Sequence, residues 1–362
     1  MNTTTPVICE IIRPASVDEA LHIIKTVHAS HQPVIFLSTP WLSCWLNSLP
    51  SLPKIVLFKR DETPVGYALL GTSKPLSVLP FRVAYLNQSG QQQQDQIWVE
   101  FNDLICDETT LSLCIETLLT TVFRQMACIR LVVSMCSHPE IWSEVCKKNN
   151  IEIDQDSVNA YKTILPETWD EETLFSGFSS NTRQQLRRSI RSISEVLGEI
   201  TINSASISER TEYLDALSAL HIKKWGGTKE GSGFENPIFV RHHQQFIATN
   251  PKSISLLKLS AGNTVLGYGY YLLDGDSALF YCAGINQSIE DNKAKPGYLL
   301  HLYAMRYFCE RGIKVYDFMA GEFRYKRSLS NHAYSMSTLT MYNPNPIAKA
   351  VETLWRWLKN KS

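Results

Sequence analysis

The stretch 312–330, GIKVYDFMAGEFRYKRSLS, contains the residue types best suited to acid–base and electrostatic chemistry. Asp317 interrupts an apolar strand pattern that should end near Gly321, and Tyr325 and Lys326 follow shortly afterwards. A carboxylate at a strand end can act as a base or an orienting acid, a phenol can donate a proton, and a lysine supplies a cation. Asp317 could instead be an ordinary salt-bridged core acid, and both interpretations stay open.

Arginines recur at helical spacing in SSNTRQQLRRSIRSISEVLG, residues 179–198. On a helical wheel Arg183, Arg187 and Arg191 form a stripe about a quarter turn from the apolar face, whereas Arg188 points elsewhere. Guanidinium groups match phosphate and carboxylate bidentately, so Arg183 and Arg187 are predicted to bind substrate. The alternative is a solvated face, salt-bridged to two glutamates near the end of the same helix.

The segment 292–312, NKAKPGYLLHLYAMRYFCERG, predicts a helix that begins at Pro296. Gly297 would let a ligand approach the first turn closely. Free backbone N–H groups and the helix dipole favour anions at this end, and Lys293 and Lys295 add positive charge. The pattern predicts an anion site, although a proline and a glycine before a helix are common.

Further candidates precede this helix. His221 lies four residues before Trp225, on the same predicted helix face, and is a candidate base; a core histidine that only forms hydrogen bonds is the alternative. Tyr281, on the preceding strand, is a candidate acid or a plain packing residue. The glycine-rich segment 225–234 predicts a loop that closes over the acceptor, with Trp225 and Phe234 as contacts, unless it is inert.

Two segments that repeat one pattern should position these residues. Residues 55–70 and 254–273 both read as a strand, a polar turn and a second strand that opens on a Gly-Tyr pair. Trp-bearing helical segments precede both, at 39–49 and 214–225. The repetition predicts a tandem duplication of one α/β unit, although chance similarity is the alternative.

The predicted fold has two lobes, 1–168 and 169–362, each a mixed, mostly antiparallel sheet flanked by helices. The first lobe lacks counterparts to the arginine stripe, the Pro-Gly helix start and the Tyr-Lys pair. We therefore expect the second lobe to carry the donor site and the catalytic residues, and the first to help form an acceptor cleft.

Composition narrows the functional class further. The 362 residues include 35 Lys and Arg and 35 Asp and Glu, so the formal net charge is zero, which argues against broad nucleic-acid binding. Nine scattered cysteines without metal-ligand spacing indicate neither a disulfide framework nor a metal site, and they favour a reducing cytoplasm. We also expect no signal peptide and no transmembrane segment.

Several motifs in order resemble the Fem/CelD-like acyltransferases of the GNAT superfamily, which contain tandem GNAT lobes. They are FSSNTRQQLRRSIR, LHIKKWGGTKEGSGFENPIF, GYGYYL, ALFYCAGIN, KPGYLLHLYAMRYFCERGIKVYDFMAG and the YK pair. The resemblance covers most of the chain and is strongest from about 175 to 326. It implies transfer of an acyl or aminoacyl group to an amine, in polysaccharide or cell-envelope biosynthesis.

The resemblance also implies residue roles. A lysine at the position of Lys326 contacts a substrate phosphate or the reacting carbonyl in Fem enzymes, and Tyr325 beside it would bind substrate. Lys295, Gly297 and Tyr298, with Lys293, would hold the acyl donor. The glycine-rich donor motif of typical acetyltransferases is missing, and so is the long helical arm of some tRNA-using members.

The predicted function is therefore N-acyl transfer from an acyl-CoA co-substrate, with no tightly bound cofactor, to an amine of a sugar, an amino acid or a surface-glycan precursor. One alternative is an aminoacyl-tRNA-dependent transferase, which would make tRNA the only expected nucleic-acid partner. Another is a non-catalytic scaffold that binds a glycan or a nucleotide sugar.

Overall fold

The computed structural model describes residues 6–29, 31–74, 81–291 and 293–359. In chain order the first half contains β1 (Ile8–Ile12), α1 (Val17–His28), α2 (Thr39–Ser48), β2 (Lys54–Arg60), β3 (Thr63–Ser73), β4 (Arg82–Leu86), α3 (Gln92–Asp95), β5 (Ile105–Cys106), α4 (Glu108–Thr120), β6 (Cys128–Cys136), α5 (Pro139–Lys148) and β7 (Glu152–Ile164). The second contains α6 (Glu171–Ser176), α7 (Ser180–Leu197), β8 (Ile200–Ser204), α8 (Arg210–Trp225), α9 (Pro237–Thr249), β9 (Ile254–Ala261), β10 (Thr264–Asp274), β11 (Ser277–Ile285), α10 (Pro296–Cys309), β12 (Val315–Ala320), α11 (Arg324–Leu329), β13 (His332–Tyr342) and α12 (Pro346–Lys359).

The chain divides into two compact units whose boundaries differ from the predicted lobes. Unit 2 runs from Val158 to Ser335, and unit 1 comprises the residues up to Ser157 together with those from Met336 onward. The change-over precedes residue 168 because the end of β7 pairs with β12 in unit 2. Similarly, β13 pairs with β6, which returns the last segment to unit 1. Strand patterns do not reveal which sheet a strand will join, so the sequence could not show this exchange.

The strand order is the same in both units. The described strands of unit 1 pair in the order β1-β2-β3-β4-β6-β13, and those of unit 2 in the order β8-β9-β10-β11-β12-β7. Neighbours are antiparallel except for one parallel pair in each unit, β4 with β6 and β11 with β12. The prediction of two tandem lobes with mixed, mostly antiparallel sheets is confirmed.

The Trp-bearing segments 39–49 and 214–225 were predicted to be equivalent helices, and this prediction is wrong by one helix. In element order α8 corresponds to α1, and α2, which contains both tryptophans of TPWLSCWLNSL, corresponds to α9. Both α2 and α9 follow a 3-10 turn and have a proline in their first turn, Pro40 and Pro237. The proline in the first turn therefore identifies the equivalent helices better than their tryptophan content does.

Helices cover both faces of the unit 2 sheet. On one face α7 and α10 pack against strand residues that include Tyr271, Phe280 and Phe318. On the other face α8 and α9 contact Tyr268 and Tyr281. Because side chains alternate along a strand, neighbours such as Phe280 and Tyr281 reach opposite faces.

Candidate functional site

Strands β11 and β12 form a fork in unit 2. They pair in parallel only at Ser277 with Val315, Ala278 with Tyr316 and Leu279 with Asp317. Beyond that point β11 continues to Ile285 and β12 to Ala320 without a described pair between them. The unpaired edges present backbone N–H and C=O groups to any ligand that enters the fork.

Asp317 stabilises a bulge where the fork opens. The register of β12 against β7 shifts between Asp317 and Met319, and Met319 has a left-handed φ of 62°. The carboxylate accepts the Met319 N–H at 2.7 Å, and the Tyr334 hydroxyl lies 2.9 Å from both of its oxygens. Asp317 is only 5% exposed, and burial raises the pKa of its carboxyl. These contacts favour a positioning role over that of a base.

The raised pKa of Asp317 predicts the pH dependence of stability. The folded state binds this proton more tightly than the unfolded state, so the stabilisation is complete below the unfolded pKa of 3.8 and is lost as pH rises through the folded pKa. Asp317→Asn cannot ionise at this position. As pH rises from 3.8 through the folded pKa of Asp317, the free energy of unfolding of the variant should therefore rise relative to that of wild type. Urea denaturation of both proteins between pH 3.5 and 7 measures the difference. A difference that is constant with pH would contradict the prediction.

Lys326 is buried at the end of β12. The residue is 6% exposed, and its Nζ donates to the carbonyl of Ala320 and lies 3.5 Å from that of Met319. Gly321, with φ of 126°, turns the chain directly after these carbonyls. The arrangement fixes a lysine side chain at the open end of β12.

Aromatic rings surround Lys326 and the fork. Tyr325 stacks on His301 with centroids 4.9 Å apart and lies 5.9 Å from Phe323. Trp225 meets Phe323 edge to face at 6.2 Å. Two predicted substrate contacts, Trp225 and Tyr325, thus both lie against the partly exposed Phe323.

His221 and Tyr281 form contacts on the α8–α9 face. His221 Nδ1 lies 2.8 Å from the Ser232 hydroxyl, and its ring contacts Phe234 at 5.4 Å. Burial lowers the pKa of His221 to about 4, with a further contribution from Lys224. The Tyr281 hydroxyl lies 2.9 Å from Nε2 of the buried His243, which the sequence analysis did not single out. His221 and Phe234 therefore anchor the glycine-rich segment.

A cavity of about 400 Å³ lies where the first turns of α7 and α10 meet α11. It is lined by Ser179, Asn181, Thr182, Gln184, Gln185, Arg188, Lys295, Tyr298, Arg324 and Ser328. Three lining residues are cationic and none is acidic, although Lys295 also pairs with Glu290 at 3.2 Å. Helix N-termini and guanidinium groups together favour a phosphorylated ligand.

Ser189 joins α7 to the loop before α10. Its hydroxyl donates to the Lys293 carbonyl at 3.0 Å and accepts the Lys295 N–H at 3.2 Å. Lys293 thus contributes a carbonyl to this joint, and its own side chain is exposed. A Cβ at Gly297 would meet only Ile285, at 3.8 Å, so packing within the protein does not require glycine there.

Arg188, rather than the predicted arginine stripe, lines the cavity. Arg183 donates to the Phe178 carbonyl at 2.7 Å, and Arg187 pairs with Glu172 at 3.0 Å. The wheel identified the helix correctly but considered only acids on the same helix, whereas Glu172 belongs to α6. Arg187 thus pairs outside the cavity, whereas Arg188, whose guanidinium donates to Gln185 Oε1, is one of the cavity's lining residues.

The described residues contain neither a metal-ligand cluster nor a membrane-spanning helix. No group of three or more His, Cys, Asp or Glu side chains there could hold a metal ion. No helix in the same part of the chain has both the length and the apolar character that crossing a membrane requires.

The fold of the chain and the sequence of unit 2 match known proteins. Residues 180–327 match the family model described as an acetyltransferase (GNAT) domain. The crystal structure of FemX aligns with a TM-score of 0.57 and 11% identity, over 95% of this chain and 100% of that one. The C-terminal domain of a putative lysylphosphatidylglycerol synthetase from Agrobacterium fabrum aligns at 0.54 and 10% identity, over 93% and 96%. No curated protein sequence matches.

These matches define a GNAT acyltransferase fold. The chain as a whole has the Fem-like tandem-GNAT fold, and residues 180–327 are the part that matches the acetyltransferase (GNAT) domain model. A conserved protein of unknown function from Bacteroides thetaiotaomicron shares the fold, with a TM-score of 0.54, 10% identity and coverage of 90% and 97%. The resemblance inferred from the sequence motifs is confirmed at this level.

Proposed function

We propose that the protein transfers an acyl group from an acyl-CoA-type thioester to an amine. The observation that carries the proposal is the cation-lined cavity at the meeting point of α7, α10 and α11. A CoA thioester carries phosphates at one end, and the cavity offers Arg188, Lys295 and Arg324 without an opposing acid among its lining residues. Its volume lies within the range of small-molecule sites.

The fork suits the other end of such a donor. A CoA thioester has an extended arm with amide groups, which can form hydrogen bonds with the unpaired edges of β11 and β12 beyond Leu279 and Asp317. Tyr298, in the first turn of α10, lines the cavity, and Arg324 lines it from α11 directly after β12. The donor assignment to unit 2 rests on these two features together.

The reaction forms a C–N bond and breaks a C–S bond. The amine nitrogen attacks the thioester carbonyl, the amine proton leaves to water or a base, and the departing thiolate takes up a proton. In our proposal Lys326 stabilises the oxyanion, because its Nζ is fixed near the fork, where its charge acts on both Asp317 and His301. Tyr281 protonates the thiolate and takes a proton back from water, while the neutral His243 holds the Tyr281 hydroxyl in position.

The acceptor is proposed from the resemblance. We propose an amine of a sugar, an amino acid or a surface-glycan precursor, in cytoplasmic synthesis of polysaccharide or cell-envelope material. The support is the shared fold with FemX and with the putative lysylphosphatidylglycerol synthetase domain.

Arg188→Ala tests the proposed donor site. We expect its Kd for acetyl-CoA to rise about tenfold, because a charge-assisted contact to phosphate is lost. Arg191→Ala, an exposed arginine on the same helix, should bind acetyl-CoA as wild type does. Isothermal calorimetry of the full chain measures both affinities. Acetyl-pantetheine, which lacks phosphates, should bind Arg188→Ala and wild type alike, and an equal loss for both probes would contradict the phosphate assignment.

A further inference from the structure

His301 lies at the closed end of the fork. Its ring centroid is 4.6 Å from that of Phe280 on β11 and 5.1 Å from that of Phe318 on β12. These are the first residues of each strand beyond the last parallel pair, Leu279 with Asp317. The imidazole therefore lies where the two strands begin to diverge.

One ring nitrogen of His301 is held by a buried hydrogen-bond chain. Nδ1 lies 2.7 Å from the Tyr316 hydroxyl, which in turn donates to the Tyr271 hydroxyl at 3.3 Å. Because the Tyr316 proton is used in that bond, Nδ1 carries the imidazole proton and donates it to Tyr316. Nε2 is then left with a lone pair, so it can only accept a hydrogen bond.

Nothing in the described part of the chain satisfies that lone pair. The residue is 4% exposed, and Nδ1 to Tyr316 is its hydrogen bond within this part of the structure. Burial and the nearby charge of Lys326 lower the pKa of His301 to about 3, which keeps the imidazole neutral at physiological pH. Nε2 therefore has little access to water, and a ligand donor that reached it from the fork would satisfy this acceptor.

We propose that His301 is a positioning residue whose Nε2 accepts a hydrogen bond from an amide N–H of the acyl donor's arm within the fork. The inference rests on the proposed function, since it takes a CoA-type thioester as the ligand. Along the fork, the unpaired strand edges can bind the amides of the arm. At the closed end the strands pair with each other and offer no free acceptor, so His301 supplies one. The bond holds the thioester in register with Lys326.

The two ring nitrogens can be tested separately. His301→Asn places an amide near the position of Nδ1, so it keeps a partner for Tyr316 but loses the acceptor at Nε2. His301→Gln places its amide oxygen near Nε2 and keeps the acceptor. A purely structural histidine would predict the opposite ranking, because its one bond within the protein is made by Nδ1.

The experiment measures acetyl-CoA affinity by calorimetry and thermal unfolding for the full-length wild type and both variants. We expect His301→Asn to weaken binding about tenfold and His301→Gln to recover most of that loss, whatever their order of stability. Equal affinity of wild type and His301→Asn would overturn the inference and leave the donor site standing. An absence of acetyl-CoA binding by wild type would overturn both proposals.

Discussion

Replacement of Lys326 with alanine is expected to lower kcat for acyl transfer about 100- to 1,000-fold, the usual cost of removing one oxyanion-stabilising donor. The Nζ is fixed by the carbonyls of Met319 and Ala320, so its position requires no rearrangement during the reaction. KM for the donor should change much less, because the phosphates bind in the cavity around Arg188. Thiol release from acetyl-CoA, with whichever sugar amine or amino acid gives turnover with wild type, measures both constants.

Two further variants separate charge from packing at this position. Lys326→Met keeps most of the buried stem without the charge and should lose as much kcat as the alanine variant. Arg327→Ala removes an exposed cation from the same helix and should behave as wild type. If Lys326→Met retains more than half of wild-type kcat, Lys326 does not stabilise the transition state.

Gly321→Ala is expected to reduce both stability and turnover. At φ of 126° an alanine is strained, and such backbone strain costs about 1–3 kcal/mol in the free energy of unfolding. The added Cβ would also lie 3.3 Å from Lys326 Nζ and 3.3 Å from the Phe323 ring, so either the lysine or the ring must shift. We expect kcat to fall by at least tenfold in conditions where the variant is fully folded.

Gly275→Ala is the matched control for backbone strain. Gly275, in the turn between β10 and β11, has a φ of 57°, and a Cβ there would meet no atom within 4 Å. This variant should lose stability without losing turnover, as urea denaturation and thiol release will show. Comparable loss of kcat in both glycine variants would mean that strain in general, and not displacement of Lys326, limits the reaction.

Local sequence patterns predicted much of the architecture. The Gly-Tyr hairpins at 55–70 and 254–273 revealed the repeat, because strand periodicity and turn residues can be recognised from neighbouring positions in the sequence. The strand exchange between the units was not predicted, because partner choice depends on contacts between residues far apart in the chain. The prediction of equivalent helices was wrong because it rested on tryptophan content and not on the residues that begin each helix.

In the candidate site, too, contacts between residues far apart in the chain could not be predicted from local patterns. The pattern around Asp317 and Lys326 located the end of β12, but it could not show that Asp317 accepts hydrogen bonds from the Met319 N–H and the Tyr334 hydroxyl. Ser189 and Arg188 gave no signal, because their roles arise where α7 meets α10 and α11. His301 gave no signal either, because its role depends on where each of its two ring nitrogens lies in the fold.

The strand exchange has a consequence for biosynthesis. Unit 2 is bounded by Val158 and Ser335, so all of its strands have been synthesised before the ribosome reaches Met336. Unit 1 begins first in the sequence, but its sheet cannot be completed until the residues of β13 that pair with β6 have been synthesised. The nascent chain therefore holds an incomplete first sheet with an open edge at β6 while the unit translated later is already able to fold.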